Sequence, residues 1–322
     1  MRVKITNTAF HVPPLVETAE EVAARCGCEV NWVLSRVGVR RRHVAEDRHV
    51  ERLGAAAARE ALASGPPPDL VINASLTPRQ AIPDSSVFLM RELGLRGVPG
   101  FTIHGTCLSF LVALNAAAAL IHAGAHRRVL IVSAEIASVG RDWKHPESAA
   151  LFGDGAAAAI VEPTPAGEPS ELLAYAMETY PEGAEFTQIR GGGVVQHPND
   201  PDTVAQHHLF EMNGPAIYRL GRPLVGALLQ RVYAAAGLSG PDDIDLVVPH
   251  QASGLALASL RRYGFPPERV VNIIADYGNC IAASIPMALA HAAREGRLTR
   301  GDRVLVLGTG AGFSMAAAAL RW

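Results

Sequence analysis

The chain has 322 residues, of which 49% are hydrophobic and 19% charged, and its formal net charge is −2. This length fits two packed halves of about 150 residues each, and the composition is that of a protein with a large buried core rather than a disordered chain. The near-neutral charge argues against a nucleic-acid-binding protein, which would carry a global basic excess.

The first ten residues predict a strand and lack the charged and apolar segments of a signal peptide. The nearest candidate for a membrane span, residues 108–123, is interrupted by three polar side chains and predicts a buried helix instead. The four cysteines give no disulfide framework in a chain of this length. We therefore expect a cytoplasmic protein in a reducing compartment.

A basic run follows at Arg40, Arg41, Arg42 and His43. It is either a solvated loop or a rim that contacts phosphate groups, and the sequence leaves both open.

Apolar runs with strand character alternate with segments of helical character along the chain. This alternation is typical of α/β proteins whose sheets are covered by helices on both faces. The predicted strands are Leu70–Asn73, Phe101–His104, Val129–Ser133, Ala156–Val161, Leu246–Pro249, Val270–Ile273, Arg303–Leu307 and Met315–Leu320. The predicted helices are Val50–Ser64, Ser85–Leu93, Leu108–Ala123, Pro215–Ala236, Ser253–Tyr263 and Ala282–Glu295.

The same order of elements occurs twice. FTIHGTC and VVNIIADYGNC each precede an apolar helix, a strand (HRRVLIVSAE, GDRVLVLGTG), a glycine turn and an alanine-rich strand. Cys280 takes the slot of Cys107 in this alignment. The Pro- and Glu-rich segment 161–170 predicts a connection between the copies, so we expect halves at 1–165 and 166–322, related by a pseudo-twofold axis. The long segment 181–202 predicts a functional loop.

Cys107 lies between a predicted strand and an apolar helix. A thiolate at a helix N-terminus is favoured by backbone N–H groups and the helix dipole, and it can attack a thioester carbonyl. Taken alone, however, a lone cysteine is more often a buried structural residue.

His250 in PHQAS and Asn279 in YGNCIAAS also lie at strand–helix junctions. Such junctions face the crevice at the carboxyl ends of strands. Each residue is a weak signal singly, but Cys, His and Asn at three such junctions form a candidate catalytic set. No four-ligand metal set and no dinucleotide or Walker fingerprint is found, so we predict neither a metal nor a cofactor.

These motifs resemble the β-ketoacyl-ACP synthase III family of the thiolase superfamily along essentially the whole chain. The matching positions are Trp32, Arg36, Gly38, Val39, Arg42, Cys107–Phe110, Phe152–Ala156, His250–Ala252, Tyr277–Asn279 and Gly310–Phe313. The resemblance implies an α/β thiolase fold, with two similar halves in a five-layered α-β-α-β-α architecture.

The resemblance also implies roles for residues. Cys107 would take an acyl group, and the backbone N–H groups of Cys107 and Ala311 would form the oxyanion hole. His250 and Asn279 would hold the thioester carbonyl of a malonyl-type extender during decarboxylative condensation. Gly153–Gly155 is expected to be a structural turn, with Asp154 as a catalytic acid the less favoured alternative.

Substrates and partners are implied as well. The substrates would be acyl-CoA and malonyl-CoA or malonyl-carrier protein, so that CoA or phosphopantetheine thioesters are bound without a resident cofactor. Ile82 would cross a homodimer interface towards the partner's acyl tunnel, unless it is a core residue. The substrate- or CoA-binding residues would be Trp32, Arg36, Ile82, Phe210 and Ser253.

Several positions depart from the family pattern. Thr106 stands where alanine is usual, and Cys280 stands where Thr or Ser is usual. Ser253 and Leu255 stand where the family has Asn and a carrier-docking Arg. These differences favour CoA thioesters or a specialised carrier, and a relative in specialised metabolism.

Two other functions stay open. A stand-alone acyltransferase would move the acyl group from Cys107 to an alcohol or amine, although such relatives tend to have an acid in place of Asn279. A degenerate, non-catalytic partner subunit would have lost one of the three catalytic residues, and none is lost here.

Overall fold

The structure is a computed structural model that describes residues 1–63 and 65–322. The strands are β1 Val3–His11, β2 Leu15–Thr18, β3 Arg41–Val44, β4 Leu70–Asn73, β5 Gly100–Thr102, β6 Val129–Ile136, β7 Asp154–Pro163, β8 Glu171–Thr179, β9 Thr187–Gln188, β10 Glu211–Met212, β11 Leu246–Pro249, β12 Arg303–Gly310 and β13 Ser314–Arg321. The helices are α1 Ala19–Cys26, α2 Val30–Trp32, α3 Val50–Leu62, α4 Ser86–Glu92, α5 Ser109–His122, α6 Pro146–Ala149, α7 Gly214–Ala236, α8 Gly254–Ala258, α9 Ile274–Tyr277 and α10 Ser284–Arg294.

Two large sheets repeat one strand order. The first is β1-β7-β6-β4-β5 and the second is β8-β13-β12-β11. In each, a parallel pair (β4 with β6, β11 with β12) is continued by two antiparallel pairings. The first sheet has a second parallel pair, β4 with β5. Val270 forms a single parallel bridge to Val247, at the place that β5 takes in the first sheet. The predicted duplication is thus visible in the topology.

Five layers result from the packing of helices on these sheets. Helices α5 and α10 lie between the two sheets, in a core that also contains residues of both. The outer face of the first sheet is covered by α3, and that of the second by α7. Helix α5 can occupy the centre because it is apolar on nearly every side, which is the pattern of a helix with no solvent face. The predicted α-β-α-β-α architecture is confirmed.

Most predicted elements are present, with ends that differ by no more than three residues. Other differences are larger. The predicted strand Val270–Ile273 makes only the single bridge and continues into α9. The elements that were not predicted from the sequence are β2, β3, β8, β9, β10, α1, α2, α6 and α9. The helix predicted over residues 253–263 is α8 followed by a 3-10 turn at Ser259–Tyr263.

The chain passes from the first sheet to the second between Pro163 and Glu171, within the predicted connection. The boundary at residue 165 stays a prediction. The helix predicted to end at Ser64 ends at Leu62, and Ser64 itself lies outside the described residues. In the described ranges, no helix is both long and apolar enough to cross a bilayer.

Candidate active site

The turn that carries Cys107 is locked by its neighbours. A 3-10 turn, Thr106–Leu108, leads directly into α5, and Thr106 has a positive φ of 54°. Ser109 Oγ accepts from the Gly105 N–H at 3.0 Å and donates to the Thr106 carbonyl at 2.7 Å. A non-glycine residue in this backbone region is strained and persists only where surrounding contacts hold it. These contacts fix the Cys107 thiol at the entrance to the helix.

The sulfur of Cys107 receives two backbone N–H groups, those of Ala311 and of Cys107 itself, and both lower its pKa. They are the two donors predicted for the oxyanion hole. Burial has the larger effect, and with a contribution from the Glu135 carboxylate it raises the pKa of the thiol to about 12. The N–H donors favour the thiolate as expected, but desolvation at this enclosed site outweighs them.

His250 follows β11, where its backbone N–H donates to the Leu307 carbonyl at 2.8 Å. Its side chain is buried, and burial lowers its pKa to about 4. The ring is neutral near pH 7 and can donate a hydrogen bond from one nitrogen. Nδ1 is enclosed and has no hydrogen-bond partner among the residues described.

Asn279 is oriented by two hydrogen bonds to its side-chain oxygen. Oδ1 accepts from the Ile281 N–H at 2.8 Å and from Ser284 Oγ at 3.3 Å. The amide nitrogen, whose one contact is a long bond of 3.4 Å to the Ala252 carbonyl, is left as the available donor. This arrangement explains why an amide rather than a carboxylate stands here.

The backbone of Asn279 is held by the first half of the molecule. Its N–H donates to the Leu151 carbonyl at 2.9 Å, and its carbonyl accepts from Gly153 at 3.2 Å. A Cβ on Gly153 would lie 2.1 Å from the Tyr277 carbonyl oxygen, so only glycine fits there. The FGDG and YGN motifs are thus held together by backbone hydrogen bonds between them.

Cys107, His250 and Asn279 line one cavity of about 560 Å³, together with Ala311. Three groups that are far apart in sequence therefore face the same enclosed space. A thiol, a neutral imidazole and an amide donor around two N–H groups can bind an acyl group and stabilise negative charge on a carbonyl oxygen.

The duplicate of Cys107 is not Cys280. Val129 and Val304 hold equivalent register positions beside β4 and β11, and 22 residues separate each from Cys107 and from Ala282 respectively. The slot of the nucleophile is thus filled by Ala282 in the second half. Cys280 is buried, and its Sγ lies 3.5 Å from the Tyr277 carbonyl, which supports the packing role expected for it.

Trp32 and Phe210 line a second, outer cavity of about 1250 Å³. Phe210 and Met212 line both this cavity and the one at Cys107, so they connect the two. Arg36 is exposed one turn beyond Trp32.

Two other predicted binding residues lie elsewhere. Ser253 caps α8 by accepting from the Ala256 N–H at 3.1 Å, and it is not among the residues that line either cavity. Ile82 is 83% exposed, so the alternative of a core isoleucine is wrong.

The basic run divides into two kinds of residue. Arg40 and Arg41 both pair with Asp276, at 2.7 and 3.0 Å. Arg42 is fully buried and donates to the carbonyls of Ala149 and Ala150, and burial lowers its pKa to about 10. Arg42 therefore belongs neither to a solvated loop nor to a phosphate-binding rim.

One buried carboxylate near Cys107 was not predicted from the sequence. Glu135 accepts from the N–H groups of Leu76 and Thr77 at 2.6 and 2.9 Å, and from the Thr77 hydroxyl at 2.7 Å. Burial raises its pKa to about 7. A glutamate inside the strand VLIVSAEI, whose only other polar residue is Ser133, was the signal that could have identified it.

The turn expected over Gly153–Gly155 is wrong, because Asp154 and Gly155 begin strand β7. The Asp154 side chain nevertheless has a structural role. Its carboxylate accepts from the Ala45 N–H and from the N–H and hydroxyl of Ser138, at 2.7–2.8 Å. Within the described part of the chain, no group of three or more His, Cys, Asp or Glu side chains could hold a metal ion.

Comparison with known proteins gives consistent matches. The family model described as 3-oxoacyl-[acyl-carrier-protein (ACP)] synthase III matches residues 101–181, and the model of its C-terminal part matches residues 234–322. The beta-ketoacyl-[acyl-carrier-protein] synthase III of Desulfitobacterium hafniense is 33% identical, over 99% of this chain and 98% of that protein. The one from Sphingopyxis alaskensis is 34% identical, over 99% of each.

Solved structures agree with these matches. The 3-oxoacyl-(acyl carrier protein) synthase III of Pseudomonas aeruginosa superposes with a TM-score of 0.90 at 31% identity, covering 100% of this chain and 98% of that one. A priming β-ketosynthase from a polyketide biosynthetic pathway gives a TM-score of 0.89 at 28% identity, covering 99% and 96%.

Proposed function

The chain belongs to the 3-oxoacyl-[acyl-carrier-protein] synthase III family of condensing acyltransferases, and from this we propose that Cys107 accepts an acyl group which a malonyl-type thioester then extends. The observation that carries the proposal is the common cavity of Cys107, His250 and Asn279, with two backbone N–H groups at the sulfur. In this scheme the thiol is the nucleophile, and the imidazole and amide stabilise charge.

The first step is exchange of thioesters. The Cys107 sulfur bonds to the acyl carbon, the bond to the departing thiol breaks, and the thiol proton ends on that leaving group. The N–H groups of Cys107 and Ala311 stabilise the oxyanion that forms on the way, and such a donor is worth about 3 kcal/mol in the transition state. Because the thiol proton passes to the leaving group, the step needs no other group to keep that proton. This suits a thiol whose pKa lies near 12.

The second step forms the carbon–carbon bond. The malonyl-type thioester loses CO₂, and the electron pair of the broken bond becomes an enolate. His250 and the Asn279 amide donate to its oxygen. The α-carbon attacks the acyl carbon on Cys107, a 3-oxoacyl thioester leaves, and the sulfur takes a proton from solvent. The burial that keeps His250 neutral also makes it a weak base, so transfer to an alcohol or amine is disfavoured.

The outer cavity provides the route for substrate. We assign the CoA portion to the region of Trp32 and Arg36, and the pantetheine arm to the passage past Phe210 towards Cys107. The primer is then an acyl-CoA, and the extender a malonyl thioester of CoA or of an acyl carrier protein. Leu255 is 56% exposed where the family has a docking arginine, which favours CoA.

A homodimer completes the proposal. Ile82, Val87, Phe101 and Val139 are large apolar residues that the monomer leaves 40–83% exposed. An isoleucine on an exposed loop suits insertion into a partner subunit better than contact with water.

The test is incubation with a set of acyl-CoAs and malonyl-CoA, following CO₂ release and the 3-oxo product by mass spectrometry. We expect an acyl adduct on Cys107 and CO₂ release equal to product. The variant Cys107→Ala should lose both, whereas the buried second-half thiol can be changed, as Cys280→Ser, with turnover kept. Acylation of Cys107 without any new carbon–carbon bond would refute the proposal.

A further inference from the structure

A third cavity adjoins the one at Cys107. It spans about 890 Å³ between α7, the region of α8, and strands β12 and β13. It shares five lining residues with the Cys107 cavity, namely Ile217, His250, Ala252, Thr309 and Phe313. Neither Cys107 nor Asn279 lines it. The two spaces therefore meet at His250, on the side away from the nucleophile.

The walls of this third cavity are those of a hydrocarbon site. Its inner part is lined by Leu228, Leu229, Leu307 and Met315, all buried. Tyr218 and Arg222 are exposed at its outer end, and His250 and Thr309 lie where it meets the Cys107 cavity. A space with apolar walls and a solvent-facing polar mouth favours an apolar ligand group.

We propose that this cavity holds an alkyl substituent on the α-carbon of the extender, so that the second substrate is an alkylmalonyl-type thioester. This inference rests on the proposed condensation. An acyl chain on Cys107 is a less suitable occupant, because the nucleophile is not part of the wall. The extender is held by its carbonyl at His250, which does form part of the wall, and its α-carbon lies beside that contact.

The condensation then yields a branched product. The alkylmalonyl thioester loses CO₂, and the electron pair left on the substituted α-carbon attacks the acyl carbon on Cys107. The sulfur leaves as a thiolate and takes a proton from solvent. The product is a 2-alkyl-3-oxoacyl thioester, in which the alkyl branch has kept its place beside Ile217 and Phe313.

The test compares malonyl-CoA with racemic butylmalonyl-CoA as extenders, with one acyl-CoA primer throughout. The wild-type enzyme is expected to use butylmalonyl-CoA with a kcat/KM at least equal to that for malonyl-CoA. Val225→Phe, a half-buried position in the cavity wall, should lower the butylmalonyl-to-malonyl ratio at least tenfold. Ala227→Phe is the matched control, because Ala227 is exposed on the same helix and lines neither cavity.

A second variant guards against misfolding of the first. Ala256 is exposed at the mouth, and Ala256→Phe should lower the same ratio. The inference is overturned if the wild-type enzyme extends with malonyl-CoA but not with butylmalonyl-CoA, or if both wall variants leave the ratio unchanged. Absence of condensation with either extender, while Cys107 is still acylated, would instead overturn the proposed function itself.

Discussion

Thr106 and Ile281 are structural counterparts, with φ angles of 54° and 46° at the first residue of the 3-10 turns that lead into α5 and α10. Each turn is followed by a serine, Ser109 or Ser284, that starts the central helix. The two halves thus build the same strained turn, but only the first carries a nucleophile in it. The second uses its serine to orient Asn279 instead.

Alkylation of Cys107 should depend steeply on pH. Because burial raises its pKa to about 12, the thiolate fraction increases about tenfold per pH unit through neutral and mildly alkaline conditions. Iodoacetamide labelling of Cys107, followed by peptide mass spectrometry from pH 7 to 10, should therefore rise without a plateau. A plateau near pH 7 would mean a resting thiolate. Cys107→Ala provides the blank for the peptide assignment.

Self-association should depend on Ile82. Replacing an 83% exposed isoleucine by arginine costs the monomer little, but it would place a charge in the proposed interface. We expect Ile82→Arg to shift the species measured by light scattering from dimer towards monomer. Val194→Arg, at a 92% exposed valine of a different loop, is the matched control and should leave the mass unchanged. Equal masses for wild type and Ile82→Arg would contradict the role of this residue.

The affinity for acyl-CoA should depend on Arg36 but not on Arg40, although both arginines are exposed. Arg36 lies one turn beyond Trp32, whereas the guanidinium of Arg40 is already paired with Asp276 at 2.7 Å. Loss of an exposed contact between a cation and a phosphate is worth about 1 kcal/mol, which corresponds to a roughly fivefold rise in KM. Arg36→Ala should show this rise and lose the salt dependence of KM. Arg40→Ala should show neither, and equal effects of the two variants would argue against the assignment.

Sequence patterns predicted the interior of the fold better than its edges. Strands β4 and β11 match the predicted ranges residue for residue, because both are buried on both faces and therefore continuously apolar. The missed strand β8 is an edge strand with a half-exposed face, and its polar residues conceal it. The segment at Val270 has the composition of a strand, but only one of its residues pairs with a neighbouring strand. Strand pairing depends on the tertiary arrangement, which composition does not reveal.

At the candidate active site, too, local sequence patterns predicted some features, and tertiary packing determined the others. Cys107, His250 and Asn279 were predicted because strand–helix junctions converge at one end of a sheet. The burial of Arg42 and of Glu135 depends on which segments pack over them, and a local pattern carries no such information. The raised pKa of Cys107 follows from enclosure by residues of both halves, so the position of the cysteine before a helix could not predict it.

Replacing Asn279 by aspartate should separate the two chemical steps. Aspartate can still accept from Ile281 and Ser284, so the local backbone is kept, but the donor to the enolate is lost and a negative charge takes its place. Loss of one such donor lowers rate about 100- to 1000-fold, and Asn279→Asp should reduce condensation by at least this factor. Acylation of Cys107, measured by intact mass, should stay within a few-fold of wild type, because the oxyanion hole does not include Asn279. If acylation falls together with condensation, Asn279 acts before the carbon–carbon bond forms. If condensation instead survives within threefold, the enolate is stabilised elsewhere, and the role assigned to the amide is wrong.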